Sequence, residues 1–364
     1  MILSAGDRIG ILTSGGDAPG MNAALRSAAR VARALGLELV GVEDGYVGLL
    51  AGRTREIDLR ALDEVARRGG TLLGSARSKV FPTAEGQAEA RRQILALRLR
   101  GLIVIGGNGS LTGAKAIMGA PTHDGHELVV AGLPASIDND LGCTSMSIGV
   151  DTAMNTILDA CDRISDTATA HRRTFIVEVM GRDCGYLAMT AAVAAGADAV
   201  LIRESGRTDE QLVEQVCRAM ELAYQRDSGK RRVMVIKAEG VKFDCAKLKS
   251  AIDARIERVL PDVDTRVTVL GHVIRGGNPT AFDRLLAARL AHAAVRGLAD
   301  GESGFMAGWT GPGIKRAASI YDPYVVLSPI DEVLSETARI LDGSSPIAMW
   351  RKKIFEETEG MLAQ

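Results

Sequence analysis

Ser14-Gly15-Gly16-Asp17-Ala18-Pro19-Gly20 lies between an apolar run at 9–12 and a helical pattern at 21–35 that Gly36 closes. Together they make a strand–loop–helix unit. Glycines in such a turn let backbone N–H groups approach an anion, and the helix behind them supplies the positive end of its dipole. The other reading is a tight turn that needs glycine for its own geometry. The stretch has neither the glycine spacing of the dinucleotide fingerprint nor the Gly-Lys-Ser/Thr of a Walker A loop.

The same order returns along the chain. An apolar run at 102–105 leads into the glycine turn Gly106-Gly107-Asn108-Gly109-Ser110 and a helix at 111–118. A strand at 128–133 runs into Pro134-Ala135-Ser136-Ile137-Asp138-Asn139-Asp140, followed by a helix at 152–164, a strand at 174–180 and a helix at 184–195. Strands at 199–203, 233–238 and 267–270 complete the set, with helices at 209–226 and 281–296. This alternation predicts an α/β fold with mostly parallel sheets covered by helices. No repeat of roughly 20–50 residues is visible, which sets solenoids aside. The polar loop at 138–149 is the candidate domain boundary, and the tail from 317 onward is expected to pack on the body.

The chain has 364 residues, 46% of them hydrophobic, enough for one large core or two ordinary ones. Lys and Arg number 44 against 45 Asp and Glu, so the basic surplus of a nucleic-acid or acidic-membrane binder is missing and any polyanion site must be local. Five cysteines, Cys143, Cys161, Cys184, Cys217 and Cys245, form no Cys-x-x-Cys pair and point to a reducing cytoplasm. No signal peptide or membrane span is expected.

Two anion-capable loops at strand ends can face one crevice of an open α/β sheet. Ser136, Asp138 and Asp140 place a hydroxyl and two carboxylates after a third strand, either as an Asx-rich turn or as a base for a substrate hydroxyl. Arg77, Arg173, Arg182, Arg266, His272 and Arg275 are the candidate cations, since a planar guanidinium suits a phosphate dianion. Arg182, His272 and Arg275 follow strands, whereas Arg173 and Arg266 precede theirs. Glu239, just past the strand at 233–238, is either a surface acid or an acceptor for sugar hydroxyls.

Taken together these residues resemble the 6-phosphofructokinase family. The matching stretches are 12–22, Asp44-Gly45-Tyr46, Gly74-Ser75-Ala76-Arg77, 106–110, 136–140, Glu178-Val179-Met180-Gly181-Arg182 and 270–277, in the family's order over about the first three hundred residues. The resemblance implies two similar three-layer α/β domains with the active site in the cleft between them. Residues 1–149 and about 274–325 would bind ATP, and 150–273 with about 326–364 would bind fructose 6-phosphate. ATP would meet Gly16, Tyr46, Arg77, Ser78, Gly107, Asn108, Gly109 and Ser110. The sugar phosphate would meet Ser136, Asp138, Met180, Gly181, Arg182, Glu239, His272 and Arg275, with Arg173 and Arg266 arriving from a neighbouring subunit of a homotetramer. Asp138 would be the base, with Arg182 and Ser136 steadying the transferred group and Mg²⁺ offsetting the triphosphate. Pyrophosphate users of the family tend to carry an acid where Gly109 stands and a lysine where Ala135 stands, so small residues at both favour ATP.

The chain departs from the family at Asn108, which replaces a metal-associated aspartate. Losing one charge opposite Mg²⁺ at ~4 Å forfeits at most about 8 kcal/mol of gross attraction at an effective dielectric of 20. Phosphates and water holding the metal, compensation by Asp138 or Asp140, and a slow or engineered variant are all open readings. The runners-up are a pyrophosphate-dependent enzyme and a catalytically impaired binding or regulatory homologue. Arg26 and Arg30 match the family's effector pocket, but Leu59, Ser165 and Ser228 stand where basic residues are expected, which predicts altered or absent control.

Overall fold

The computed structural model describes residues 3–225, 231–310 and 319–362, and the chain divides into two compact units. Unit one comprises residues up to Ile137, Leu141–Thr152 and Arg275–Ala338. Unit two comprises Asp138–Asp140, Ala153–Ile274 and 339 onward.

Unit one is built on β1 (Arg8–Ser14), β2 (Glu38–Val42), β3 (Thr54–Glu56), β4 (Leu99–Gly106), β5 (Val129–Pro134), β10 (Phe305–Trp309) and β11 (Val325–Pro329), in the order β11-β10-β5-β4-β1-β2-β3. The central pairs are parallel, and only the edge strands β3 and β11 run antiparallel. Parallel strands buried on both faces read as continuous apolar runs, and β4 is buried at all eight residues. Its helices are α1 (Met21–Ala34), α2 (Gly45–Leu50), α3 (Leu59–Val65), α4 (Ala84–Ala96), α5 (Asn108–Ile117), α10 (Ala281–Ala299) and α11 (Ile330–Asp342). Leu12, Val42, Leu102 and Val104 pack with Tyr46, Ile94 and Ile117 of α2, α4 and α5 in one core.

Unit two has a four-stranded parallel sheet, β7 (Ala199–Leu201), β8 (Val233–Ala238), β6 (Arg173–Val179) and β9 (Asp264–Val269), in that order. It carries α6 (Val150–His171), which starts in unit one, α7 (Tyr186–Ala195), α8 (Asp209–Gln225), α9 (Cys245–Ile256) and α12 (Pro346–Leu362). Val235, Ile176 and Leu201 of the sheet pack with Val216, Met220, Leu248 and Ile252 of α8 and α9. All five cysteines are free thiols. No helix of the described residues is long and apolar enough to cross a membrane.

The sequence expectation is corrected at the second glycine turn. Residues 108–110 already belong to α5, whose cap is the extended Gly107, so the turn shrinks to Gly106-Gly107. Likewise α6 runs from Val150 rather than 152 and continues to His171, and β7 stops at Leu201 because a 3₁₀ turn, Arg203–Ser205, takes over.

Candidate active site

Register brings three loops of unit one side by side. β1 and β4 pair with Ser14 opposite Gly106, and β4 and β5 pair with Gly106 opposite Pro134, so the carboxyl ends of three neighbouring parallel strands coincide. Open α/β sheets bind ligands at this edge. The first loop leaves β1 through Gly15 at φ +87° and enters α1 through Gly20 at φ +117°, where a Cβ would stand 2.6 Å from Ile148 Cγ2. Both glycines hold left-handed backbone that other residues rarely adopt.

Neither α1 nor α5 has a side-chain N-cap or an acid in its first turn. Their first N–H groups are therefore not occupied by capping side chains, and the dipoles point at the loops. Ser75 Oγ donates to the Gly15 carbonyl at 2.7 Å, and Ser110 Oγ lies 3.3 Å from where a Gly15 Cβ would sit, so the two loops touch. A Cβ at Gly107 would stand 3.7 Å from Ser136 Cβ, which puts Ser136 against the second loop. At Gly109 a Cβ would meet nothing within 4 Å.

Tyr46 is placed differently from a ligand contact. It is 5% exposed, stacks on Phe81 with centroids 4.0 Å apart, and donates its hydroxyl to the Ser110 carbonyl at 2.6 Å. Burial pushes its phenol well above the usual range. It buttresses the start of α5 from below. Arg77 is exposed and makes no hydrogen bond or ion pair among the described residues, while Ser78 Oγ accepts from Phe81 N at 3.0 Å. Arg275 belongs to unit one: its Nη1 donates to the Asp17 carbonyl at 3.2 Å and lies 2.7 Å from where a Gly16 Cβ would be. A side chain at 16 would displace the tip of that arginine.

Unit two gathers a second group at the carboxyl ends of β6 and β8. Gly181, at φ +128°, turns the chain after Met180, and Gly240 N donates to the Gly181 carbonyl at 3.2 Å, so the 239–240 turn closes over Gly181 and Arg182. Arg182 is 74% exposed along its side chain and donates Nε to Asp183 Oδ2 at 3.0 Å. Its guanidinium is held protonated above the usual range, first by that hydrogen bond and also by the charges of Asp138 and Glu239. The field of Arg182 thus reaches two of the three carboxylates named from sequence. His272 is exposed in the 3₁₀ turn Gly271–Arg275.

Arg173 and Arg266 lie elsewhere. Arg173 opens β6, about 20 Å from its carboxyl end at 3.3 Å per residue. Its Nε is 3.4 Å from Asp264 Oδ2, to which Arg266 Nη2 also pairs at 2.6 Å. The structure therefore does not bring these two to Arg182 within unit two. Arg26 and Arg30 both bind Asp63, at 2.5 and 2.9 Å, and the two guanidiniums hold that carboxyl below its usual range. Leu59 is the first residue of α3, which Asp58 caps, and Ser165 lies within α6, while Ser228 falls outside the described residues.

Asp183 and Ser75 are site neighbours that residue-type reasoning passed over as partners. Ser75 lies inside a motif already singled out; Asp183 had no signal beyond its place after Arg182. Among the described residues no three or more His, Cys, Asp or Glu side chains cluster as a metal cage.

The phosphofructokinase family model matches residues 8–298. The ATP-dependent 6-phosphofructokinase of Oceanobacillus iheyensis is 45% identical over 303 residues, 83% of this chain and 89% of that protein. The ATP-dependent 6-phosphofructokinase of Thermotoga neapolitana is 41% identical over 334 residues, 92% of this chain and 99% of that protein. The solved phosphofructokinase of Saccharomyces cerevisiae superposes with a TM-score of 0.81 at 31% identity, covering 96% of this chain. The chain spans 50% of that yeast chain's length.

Proposed function

The chain belongs to the phosphofructokinase family, and from that premise we propose that it transfers the γ-phosphoryl group of ATP to the 1-hydroxyl of fructose 6-phosphate. The products are fructose 1,6-bisphosphate and ADP, a step of glycolysis. The observation that carries the reading is the alignment of Ser14, Gly106 and Pro134 at one sheet edge, with two helices entered through glycine behind it. That arrangement suits a triphosphate, which needs many N–H donors and little side-chain bulk.

Phosphoryl transfer passes through a loose transition state, so the protein's part is positioning and charge. The loops at Gly16 and at Gly107, Asn108, Gly109 and Ser110 hold the donor, with Arg77 and Ser78 beside them and Tyr46 bracing α5. Arg275, laid on the first loop, fixes its path. Asp138 accepts the proton of the sugar hydroxyl, and Arg182 and Ser136 stabilise charge on the moving group. Met180, Gly181, Glu239 and His272 contact the sugar phosphate. Mg²⁺ enters with the triphosphate as part of the substrate, carried by phosphate oxygens and water, which accommodates Asn108. The open space at Gly109 and the small Ala135 favour ATP over pyrophosphate. Arg173 and Arg266 serve a neighbouring subunit's sugar phosphate in a homotetramer. A reducing cytoplasm suits the five free thiols.

An initial-rate assay crossing ATP with pyrophosphate, and Mg²⁺ with chelator, tests this. Fructose 1,6-bisphosphate should form with ATP and Mg²⁺ and far more slowly with pyrophosphate. Absence of product with ATP, or a preference for pyrophosphate, overturns the reading.

A further inference from the structure

Arg351 stands on α12, in the tail that matches the family poorly, 212 residues from Asn139, yet its Nη1 donates to the Asn139 carbonyl at 3.2 Å. Asn139 follows Asp138, is 1% exposed and holds left-handed backbone at φ +50°. Asparagine enters that region more readily than most non-glycine residues, and the contacts around it hold it there. One cluster of unit two supplies contacts to it. The Arg351 guanidinium lies over the Tyr186 ring at 4.6 Å, and Tyr186 hydrogen-bonds the Asn139 side chain. The helix that presents Arg351 is itself tied down, because Arg207 and Gln215 both bind Glu359 farther along α12. All these residues belong to unit two.

We propose that Arg351 is a positioning residue for the reaction: through Asn139 and Tyr186, the C-terminal helix clamps the loop and sets the direction in which Asp138 presents its carboxylate. This rests on the reading of Asp138 as the base. Arg351 touches no reacting atom. Its removal leaves donor and acceptor contacts in place and lets the carboxylate drift, a change that appears in kcat rather than in KM. Arg351 also lines a cavity of about 350 Å³ with Met189, Leu341 and Met349, which gives a small cation access to the vacated position.

The test uses the full chain with Arg351→Met, Arg351→Lys and Tyr186→Phe. Arg351→Met should lower kcat about 10- to 100-fold with both KM values within about threefold and an unchanged melting temperature. Arg351→Lys should recover part of the rate, as should millimolar guanidinium added to Arg351→Met. Tyr186→Phe, which keeps the ring and loses the hydroxyl, should lower kcat by a smaller factor. Amide exchange over 138–141 should quicken in Arg351→Met, a readout independent of turnover. Wild-type kcat and unchanged exchange in Arg351→Met overturn the proposal. If that variant unfolds, wild-type kcat and exchange in folded Tyr186→Phe overturn it instead. An inactive parent chain would refute the assigned reaction, while the exchange comparison would still decide the clamp.

Discussion

At Gly109 a side chain would meet no protein atom within 4 Å, and the position lies in the first turn of α5 without positive φ, so neither crowding nor backbone strain accounts for glycine there. Glycine inside a helix costs roughly 0.5–1 kcal/mol relative to alanine. In the proposed reaction the space it keeps is room for the nucleotide's α-phosphate. Gly109→Ala should therefore leave the unfolding free energy unchanged or raise it by about 0.5–1 kcal/mol, while the KM for ATP rises about tenfold from the steric conflict. Lower stability with an unaltered KM would place the role of this glycine in the fold instead. Asn108 is the neighbouring case, since restoring a carboxylate adds a charge facing the metal-bearing triphosphate. Asn108→Asp should lower the free Mg²⁺ needed for half-maximal rate, measured by titrating Mg²⁺ at fixed ATP. An unmoved midpoint would mean that position 108 does not face the ion.

Among the elements, α5 and α2 are joined by Tyr46. A Cβ at Gly113 would come within 2.5 Å of the Tyr46 ring, so glycine at 113 makes room for the phenol that reaches the Ser110 carbonyl. Tyr46→Phe should destabilise the protein by about 1 kcal/mol, the net worth of one buried hydrogen bond, read from the urea midpoint at constant m. The strands that were legible, β1, β4, β5, β6, β7, β8 and the second half of β9, are apolar runs closed by glycine, proline or a charged turn. β2, β3, β10 and β11 were not legible: Glu38–Val42 and Phe305–Trp309 are each five residues, and Thr54–Glu56 is an exposed edge strand of three polar residues. Loop positions of the site followed from strand ends and glycine spacing. The side-chain directions did not, because Arg275 onto Gly16 and Arg351 onto Asn139 join residues more than two hundred positions apart. No local periodicity encodes such contacts.

For the molecule as a whole, Arg173 and Arg266 at the amino end of the second sheet serve another subunit's sugar phosphate in the proposed assembly. Mixed oligomers of Asp138→Asn and Arg266→Ala, each nearly inactive alone, should regain activity by forming some sites free of both changes. No regain in verified mixed oligomers would mean that each chain completes its own site. Arg26 and Arg30 are already committed to Asp63, so phosphoenolpyruvate should shift the half-saturating fructose 6-phosphate by less than the roughly fivefold at the low end of typical allosteric coupling. A larger shift would reveal a working effector site. The proposed phosphoryl transfer depends on Asp138 taking the proton of the acceptor hydroxyl, and steady-state kinetics of Asp138→Asn test this most directly. The predicted result is a fall in kcat of about 10²- to 10⁴-fold with KM for ATP and fructose 6-phosphate little changed; a folded variant that turns over at the parent rate would contradict it.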